Sequence, residues 1–188
     1  MTTIRTPRLI LRPMTQADAT AYVAMRFHPG VLAWLPPAPG EPLDRARETI
    51  AAFAGDWRTR GYGPWGAFER LPEADGSDRE GRLVGHVGLR FLAEFDGTEL
   101  LYAFLPELHG KGFAREAAEA SLTFGFDTSR LLAVFAIALA ANQRSWGLMR
   151  RLGMTRGADA RFKGFDVVRY DIDAAAWRAR IDREAPTT

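Results

Sequence analysis

The feature that most constrains this 188-residue chain is a strand, glycine loop, helix, strand succession in its middle. "DGTELLYAFLP" (Asp96–Pro106) reads as a strand, and "HGKGFAREAAEA" (His109–Ala120) sets two glycines and a lysine before a helical pattern. That pattern runs to about Ser129, after which "LAVFAIAL" (Leu132–Leu139) reads as another strand. Two strands joined through a helix lie parallel in one sheet, with a right-handed connection. A mixed α/β (α+β) layer arrangement follows, with helices packed on a sheet.

The flanking segments supply further elements. "RLILRP" (Arg8–Pro13) alternates apolar and basic residues, as a strand exposed on one face does. Thr15, with Asp18 three residues on, has the form of a capping box, opening a helix with Ala21, Met25 and Val23 turned inward. Five prolines and two glycines make "HPGVLAWLPPAPGEP" (His28–Pro42) a loop. A second helix is expected over Leu43–Arg60, with Leu43, Ala46, Ile50, Phe53 and Trp57 at helical spacing. "YGPWGAFER" and "RLVGHVGLRFL" read as strands joined by the acidic loop "LPEADGSDREG". "NQRSWGLMRRLG" reads as a helix stopped by Gly153, "TRGADARFKGFDVVRYDI" as a closing hairpin, and "AAAWRARIDRE" as a terminal helix. One domain over residues 1–188 is expected, since no boundary interrupts this order.

Composition narrows the function classes. The absence of cysteine removes disulfides, thiol nucleophiles and cysteine metal sites, and suits a reducing cytoplasm. His28, His86 and His109 are too widely separated for a ligand motif, so no metal is expected. No apolar run approaches the roughly 18 residues of a membrane span, and a cytoplasmic protein without a membrane partner is expected. The pI of about 9.3 invites nucleic acid, but the net charge is only +2 and the arginines are interleaved with acids. Nucleic acid is therefore not an expected partner.

The glycine loop is chemically suggestive but ambiguous alone. Glycines let consecutive backbone N–H groups converge, and a helix N-terminus adds unpaired amides and a positive dipole end. Lys111 and Arg115 add charge suited to phosphate. The stretch fails a Walker A loop, which needs GxxxxGK and a hydroxyl residue, and it lacks the third glycine of a dinucleotide fingerprint. A phosphate cradle and a merely flexible helix entry both remain open.

Three segments in order resolve this by resemblance. "TPRLILRPMTQAD", "ELLYAFLPELHGKGFAREA" (Glu99–Ala117) and "NQRSWGLMRRLGM" (Asn142–Met154) together resemble the GNAT N-acetyltransferase superfamily. More narrowly they look like its ribosomal-protein N-terminal acetyltransferase branch, over about Thr6–Ile172. The resemblance implies a fold with splayed central strands and acetyl-CoA as co-substrate. It implies direct acetyl transfer in a ternary complex to a primary amine, either a protein N-terminal α-amine or a small molecule. Homodimers are common in that branch.

Residue by residue, the family's Gln/Arg-x-x-Gly-x-Gly/Ala cradle falls on His109, Gly112 and Ala114, with His109 a departure. Backbone amides of Gly110, Lys111, Gly112, Phe113 and Ala114, with the charge of Arg115 nearby, would then hold the coenzyme A pyrophosphate. Backbone near Phe104 and Leu105 would pair with the pantetheine arm, and an N–H there would stabilise the oxyanion. Asn142 would hydrogen-bond the same arm, and Ser145 would donate a proton to the leaving thiolate. Glu99 would act as base through water, while Trp34, His86 and Tyr102 would line the acceptor side. Met149 stands where many members have an acidic tyrosine, and Leu101 replaces a family glycine.

Without the resemblance, each residue has a plainer reading. His109 is a solvated loop residue, Asn142 an N-cap, Ser145 a first-turn serine and Glu99 an exposed strand carboxylate. His86, Trp34 and Tyr102 are structural. A catalytically silent acyl-CoA-binding regulatory domain is the alternative that the three departures raise, and an RNA- or ribosome-associated factor a third.

Overall fold

The structure, a computed structural model, describes residues 2–35 and 39–184. Among these, nine strands form one sheet. They are β1 (Ile4–Arg5), β2 (Leu9–Arg12), β3 (Pro64–Pro72), β4 (Asp78–Leu92) and β5 (Gly97–Phe104), then β6 (Ala133–Leu139), β7 (Thr155–Arg156), β8 (Ala160–Phe162) and β9 (Phe165–Asp173). The sheet order is β1-β2-β3-β4-β5-β6-β9-β7, with β8 also against β9. The α-helices are α1 (Ala19–Arg26), α2 (Pro29–Leu32), α3 (Pro42–Arg60), α4 (Phe113–Thr123), α5 (Gln143–Arg151) and α6 (Ala174–Glu184).

Every strand pairing is antiparallel except β5 with β6, the pair that the central strand–helix–strand succession predicts. That parallel ladder holds at a single register, Glu99 with Phe135, before the two strands part. On its other edge β5 stays bonded to β4 from Gly97 to Phe104. The sheet therefore opens in its middle, as splayed central strands require.

Several local expectations change. β2 is covered on both faces: Leu9, Ile10 and Leu11 are all buried, and Arg12 is drawn inward to pair with Asp18 and Glu80. Tyr22, not Ala21, joins Met25 on the inner face of α1, because the helix turns around buried Ala19. The capping box forms, with Thr15 N–H donating to the Asp18 carboxylate at 2.7 Å. Inside the proline-rich segment, α2 makes one helical turn, its Gly30 N–H donating to the His28 ring at 3.1 Å. Pro36, Pro37 and Ala38 of that segment lie outside the described residues.

The apolar stripe of α3 starts at Ala46, since Leu43 beside the Pro42 start stays exposed. The acidic loop contracts to a turn at Glu73–Ser77, because Asp75 accepts from the Ser77 amide at 2.9 Å and Gly76 takes a left-handed conformation. In the core, Trp65 packs edge to face on both Trp57 and Phe124, whose own rings are tilted, with centroids 4.9–5.7 Å apart. The predicted helix to Ser129 divides, α4 giving way to a π turn over Phe124–Thr128 in which Ser129 N–H reaches Phe124 O.

Candidate active site

The glycine loop runs between β5 and α4. Gly110 and Gly112 both take left-handed conformations, φ 74° and 83°. A Cβ on Gly110 would meet nothing within 4 Å, whereas one on Gly112 would lie 3.3 Å from Arg8 Nη2. The first bond of the helix runs from Glu116 N–H to Gly112 O at 3.0 Å. The amides of residues 112–115 therefore precede the hydrogen-bond ladder and face outward at the helix end.

Arg8, which sequence reading passed over, buttresses this loop. Its guanidinium donates to the Lys111 carbonyl at 2.8 Å and to Glu116 at 2.7 Å, and lies 4.1 Å from the Phe113 ring centroid. Thr6 donates to the same Glu116 at 2.6 Å. In the sequence, only the Thr6-Pro7-Arg8 run at the start of the family-like first segment points to this buttress. Phe113 thus serves packing. Lys111 is exposed beyond the cavity rim, and Arg115 spends its charge on Glu119 at 2.8 Å and Glu184 at 3.4 Å. Arg115 nevertheless lines the cavity, with Arg144 and Arg151 as further positive side chains at its wall.

His109 is not a solvated loop residue. Arg144 approaches its Nδ1 at 3.3 Å, and the Phe104 carbonyl lies 3.1 Å from its Nε2. Arginine can only donate, so Nδ1 accepts and Nε2 carries the proton to Phe104 O. The ring thereby ties the end of β5 to the start of α5.

A cavity of about 740 Å³ opens beside the loop, lined by Phe104, His109, Gly110, Gly112, Ala114 and Asn142 among others. Leu105 turns its N–H away, to Val84 O at 3.0 Å. Because donors alternate along a strand, Tyr102 and Phe104 turn theirs toward the split from β6. Asn142 caps α5, its Oδ1 accepting from Ser145 N–H at 3.2 Å, which leaves its amide NH₂ to donate elsewhere.

A second cavity, of about 260 Å³, lies on the other side of the split and is lined by His86, Glu99 and Leu101. Trp34, Tyr102 and Ser145 line both cavities. At this seam the Tyr102 phenol lies 3.0 Å from Ser145 O and 2.9 Å from Ser145 Oγ. A carbonyl only accepts, so the phenol proton goes there and the serine hydroxyl donates to the phenol oxygen. Burial holds the Tyr102 phenol well above its ordinary range, so it stays protonated. Met149 is buried in the core, filling the position of a helix tyrosine with packing.

Glu99 is a buried carboxylate, not an exposed one. Arg90 Nε donates to it at 2.7 Å, yet burial outweighs that partner and raises its pKa above the ordinary 4.5. His86 is also buried, with Tyr22 OH 3.2 Å from its Nδ1 and the rings of Tyr22 and Phe53 beside it. Burial first, then Arg26 and Arg90, holds its pKa down to about 3. The structure so brings Trp34, His86, Glu99, Tyr102 and Ser145 together from residues 111 positions apart in sequence. Arg90 and Tyr22, missed from sequence, complete the setting; alternation along β4 was the one available clue to Arg90.

Comparison with known proteins agrees with this architecture. The family model for an acetyltransferase (GNAT) domain matches residues 8–155. The chain belongs to this family of acetyltransferases. Relatives include a Bacillus subtilis (strain 168) protein described as an uncharacterized N-acetyltransferase, YoaA, 27% identical over 154 residues, 81% of this chain and 82% of that protein. The fold is shared with an acetyltransferase from Agrobacterium tumefaciens str. C58 at a TM-score of 0.75 and 23% identity, covering 92% of this chain and 94% of that one. It is also shared with the ribosomal-protein-S5-alanine acetyltransferase of Vibrio fischeri, at a TM-score of 0.73 and 15% identity, covering 94% and 99%. Among the described residues no helix is long and apolar enough to cross a membrane.

Proposed function

We propose that this chain, acting as one catalytic unit, transfers an acetyl group from acetyl-CoA to a primary amine within a ternary complex. The observation that carries this reading is the seam: two cavities, one beside an amide-lined glycine loop and one holding a buried carboxylate, meet at Tyr102 and Ser145. The loop fits the donor, because outward amides and left-handed glycines suit a pyrophosphate and the split between β5 and β6 suits an extended arm. The donor supplies an activated thioester carbonyl.

The chain's own residues do the rest. Amides of residues 112–115 and the Asn142 NH₂ hold the donor, the Lys111 N–H being bonded to Leu108 O at 3.3 Å, and the N–H of Tyr102 or Phe104 faces the carbonyl oxygen. Glu99, its pKa raised by burial, takes the proton lost as the amine nitrogen forms its bond to carbon. As the carbon–sulfur bond breaks, the Ser145–Tyr102 pair gives a proton to sulfur, and both groups reset through solvent. His86, neutral at physiological pH, shapes the acceptor side with Tyr22 and Phe53.

A thiol-release assay with acetyl-CoA and a panel of amines tests the proposal, with release expected for at least one amine class. Glu99→Gln should flatten the acidic limb of kcat/KM, which rises with pH as the raised carboxyl ionises. Tight coenzyme A binding by calorimetry, with no turnover of any amine, would instead identify a silent acyl-CoA-binding module.

A further inference from the structure

The smaller cavity has a charge pattern that the proposed chemistry does not use. Its charged lining residues are Arg26 on α1, Arg45 on α3, Arg90 on β4, Lys163 on the β8–β9 turn, and one acid, Glu99 on β5. Glu99 is matched by Arg90. Arg45 pairs with Glu48, which lies largely in solvent, while its buried Nε has no hydrogen-bond partner among the described residues. Burial first, with the charge of Arg45 adding to it, lowers the pKa of Arg26, and Arg26 also depresses His86.

An acceptor with further cationic groups, such as a polyamine, would add to this excess in a partly dehydrated space. An amine that also carries an oxyanion would relieve it, because arginine forks match carboxylate and phosphonate oxygens. The same positive field lowers the pKa of an acceptor ammonium and so favours the neutral nucleophile. At about 260 Å³ the cavity falls just below the roughly 300 Å³ at which drug-sized ligand pockets begin. The space suits a molecule the size of an amino acid.

We infer that the acceptor is a small primary amine bearing a carboxylate or phosphonate, its anion held by Arg26 and Arg45 and its nitrogen turned to Glu99 and the Tyr102–Ser145 seam. This rests on the acetyl-transfer reading above. It also disfavours a protein N-terminus, in which the group next to the amine is a neutral amide.

The test measures thiol release from acetyl-CoA with the common α-amino acids, the matching amino-acid amides, aminomethylphosphonate and spermidine. The amides have the more readily deprotonated amines, so a preference for the acids cannot come from basicity. At least one acid or phosphonate should show a kcat/KM tenfold or more above its amide. That ratio should fall toward unity in Arg45→Gln and recover in Arg45→Lys, and Arg26→Gln should reduce it independently. Equal or better turnover of amides or spermidine overturns the inference while leaving acetyl transfer intact. Absence of release with every amine, despite measured acetyl-CoA binding, overturns both.

Discussion

The anion binding we propose for the larger cavity would come from backbone within one short segment, Gly110–Arg115, whereas the smaller cavity takes its charge from side chains on α1, α3, β4, β5 and the β8–β9 turn. A backbone-built site depends on conformation and tolerates an altered letter. His109 replaces the family's usual residue, yet its ring ties Phe104 O to Arg144. A site built from side chains depends on which residues the tertiary fold gathers, and each substitution changes its chemistry. On the proposed reading, the donor side rests on backbone conformation, while the acceptor side rests on the particular side chains of this chain.

The sharpest way to break this contrast is at the seam both cavities share. Ser145→Ala and Tyr102→Phe should each lower kcat on the order of 1000-fold, about 4 kcal/mol, if the pair supplies the proton. The double variant should be no slower than the worse single one, because the two act as a unit. Single-turnover rates would show this, and additive losses would separate the two residues.

On the donor side, Gly112→Val should weaken coenzyme A binding by about 100-fold, roughly 3 kcal/mol, since a branched residue is strained in this left-handed position. Calorimetry measures the loss, and an unchanged affinity would remove the loop from the site.

On the acceptor side, His86 should mark the acid stability of the fold. Its pKa of about 3 lies below the ordinary 6.5, so the unfolded chain takes up a proton that the folded one refuses. Stability is then lost as pH falls from about 6.5 toward 3, by up to about 1.4 kcal/mol per pH unit. Urea denaturation between pH 6 and 4 should show a shallower decline for His86→Gln.

The smallest effect is expected at Arg8, which holds the loop from behind. Arg8→Ala should raise the KM for acetyl-CoA about fivefold, close to 1 kcal/mol, with little change in kcat. A fall in kcat of the same size would mean that Arg8 shapes the chemistry as well.

Legibility in the sequence followed the same division. The glycine loop, Asn142 and the strand–helix–strand succession could be read because their signals are local: positive-φ residues, a cap and hydrophobic periodicity. The Tyr102–Ser145 contact could not be read, because it spans 43 positions across a split in the sheet. No local signal links Arg26 and Arg45, and only the packing of α1 and α3 beside β4 brings them to one space. The acid partners of Arg115 were hidden for a similar reason, since α6 brings Glu184 within 3.4 Å of it.

By itself the sequence of this protein determined the elements, the parallel crossover and the loop conformation, because backbone geometry and periodic burial depend on neighbours in the chain. Only the tertiary structure decided the hydrogen-bond partners of His109, the burial of Glu99 and the cationic lining of the smaller cavity. Dehydration and pairing of charge depend on what the fold sets within a few ångströms, and no spacing along the chain carries that distance.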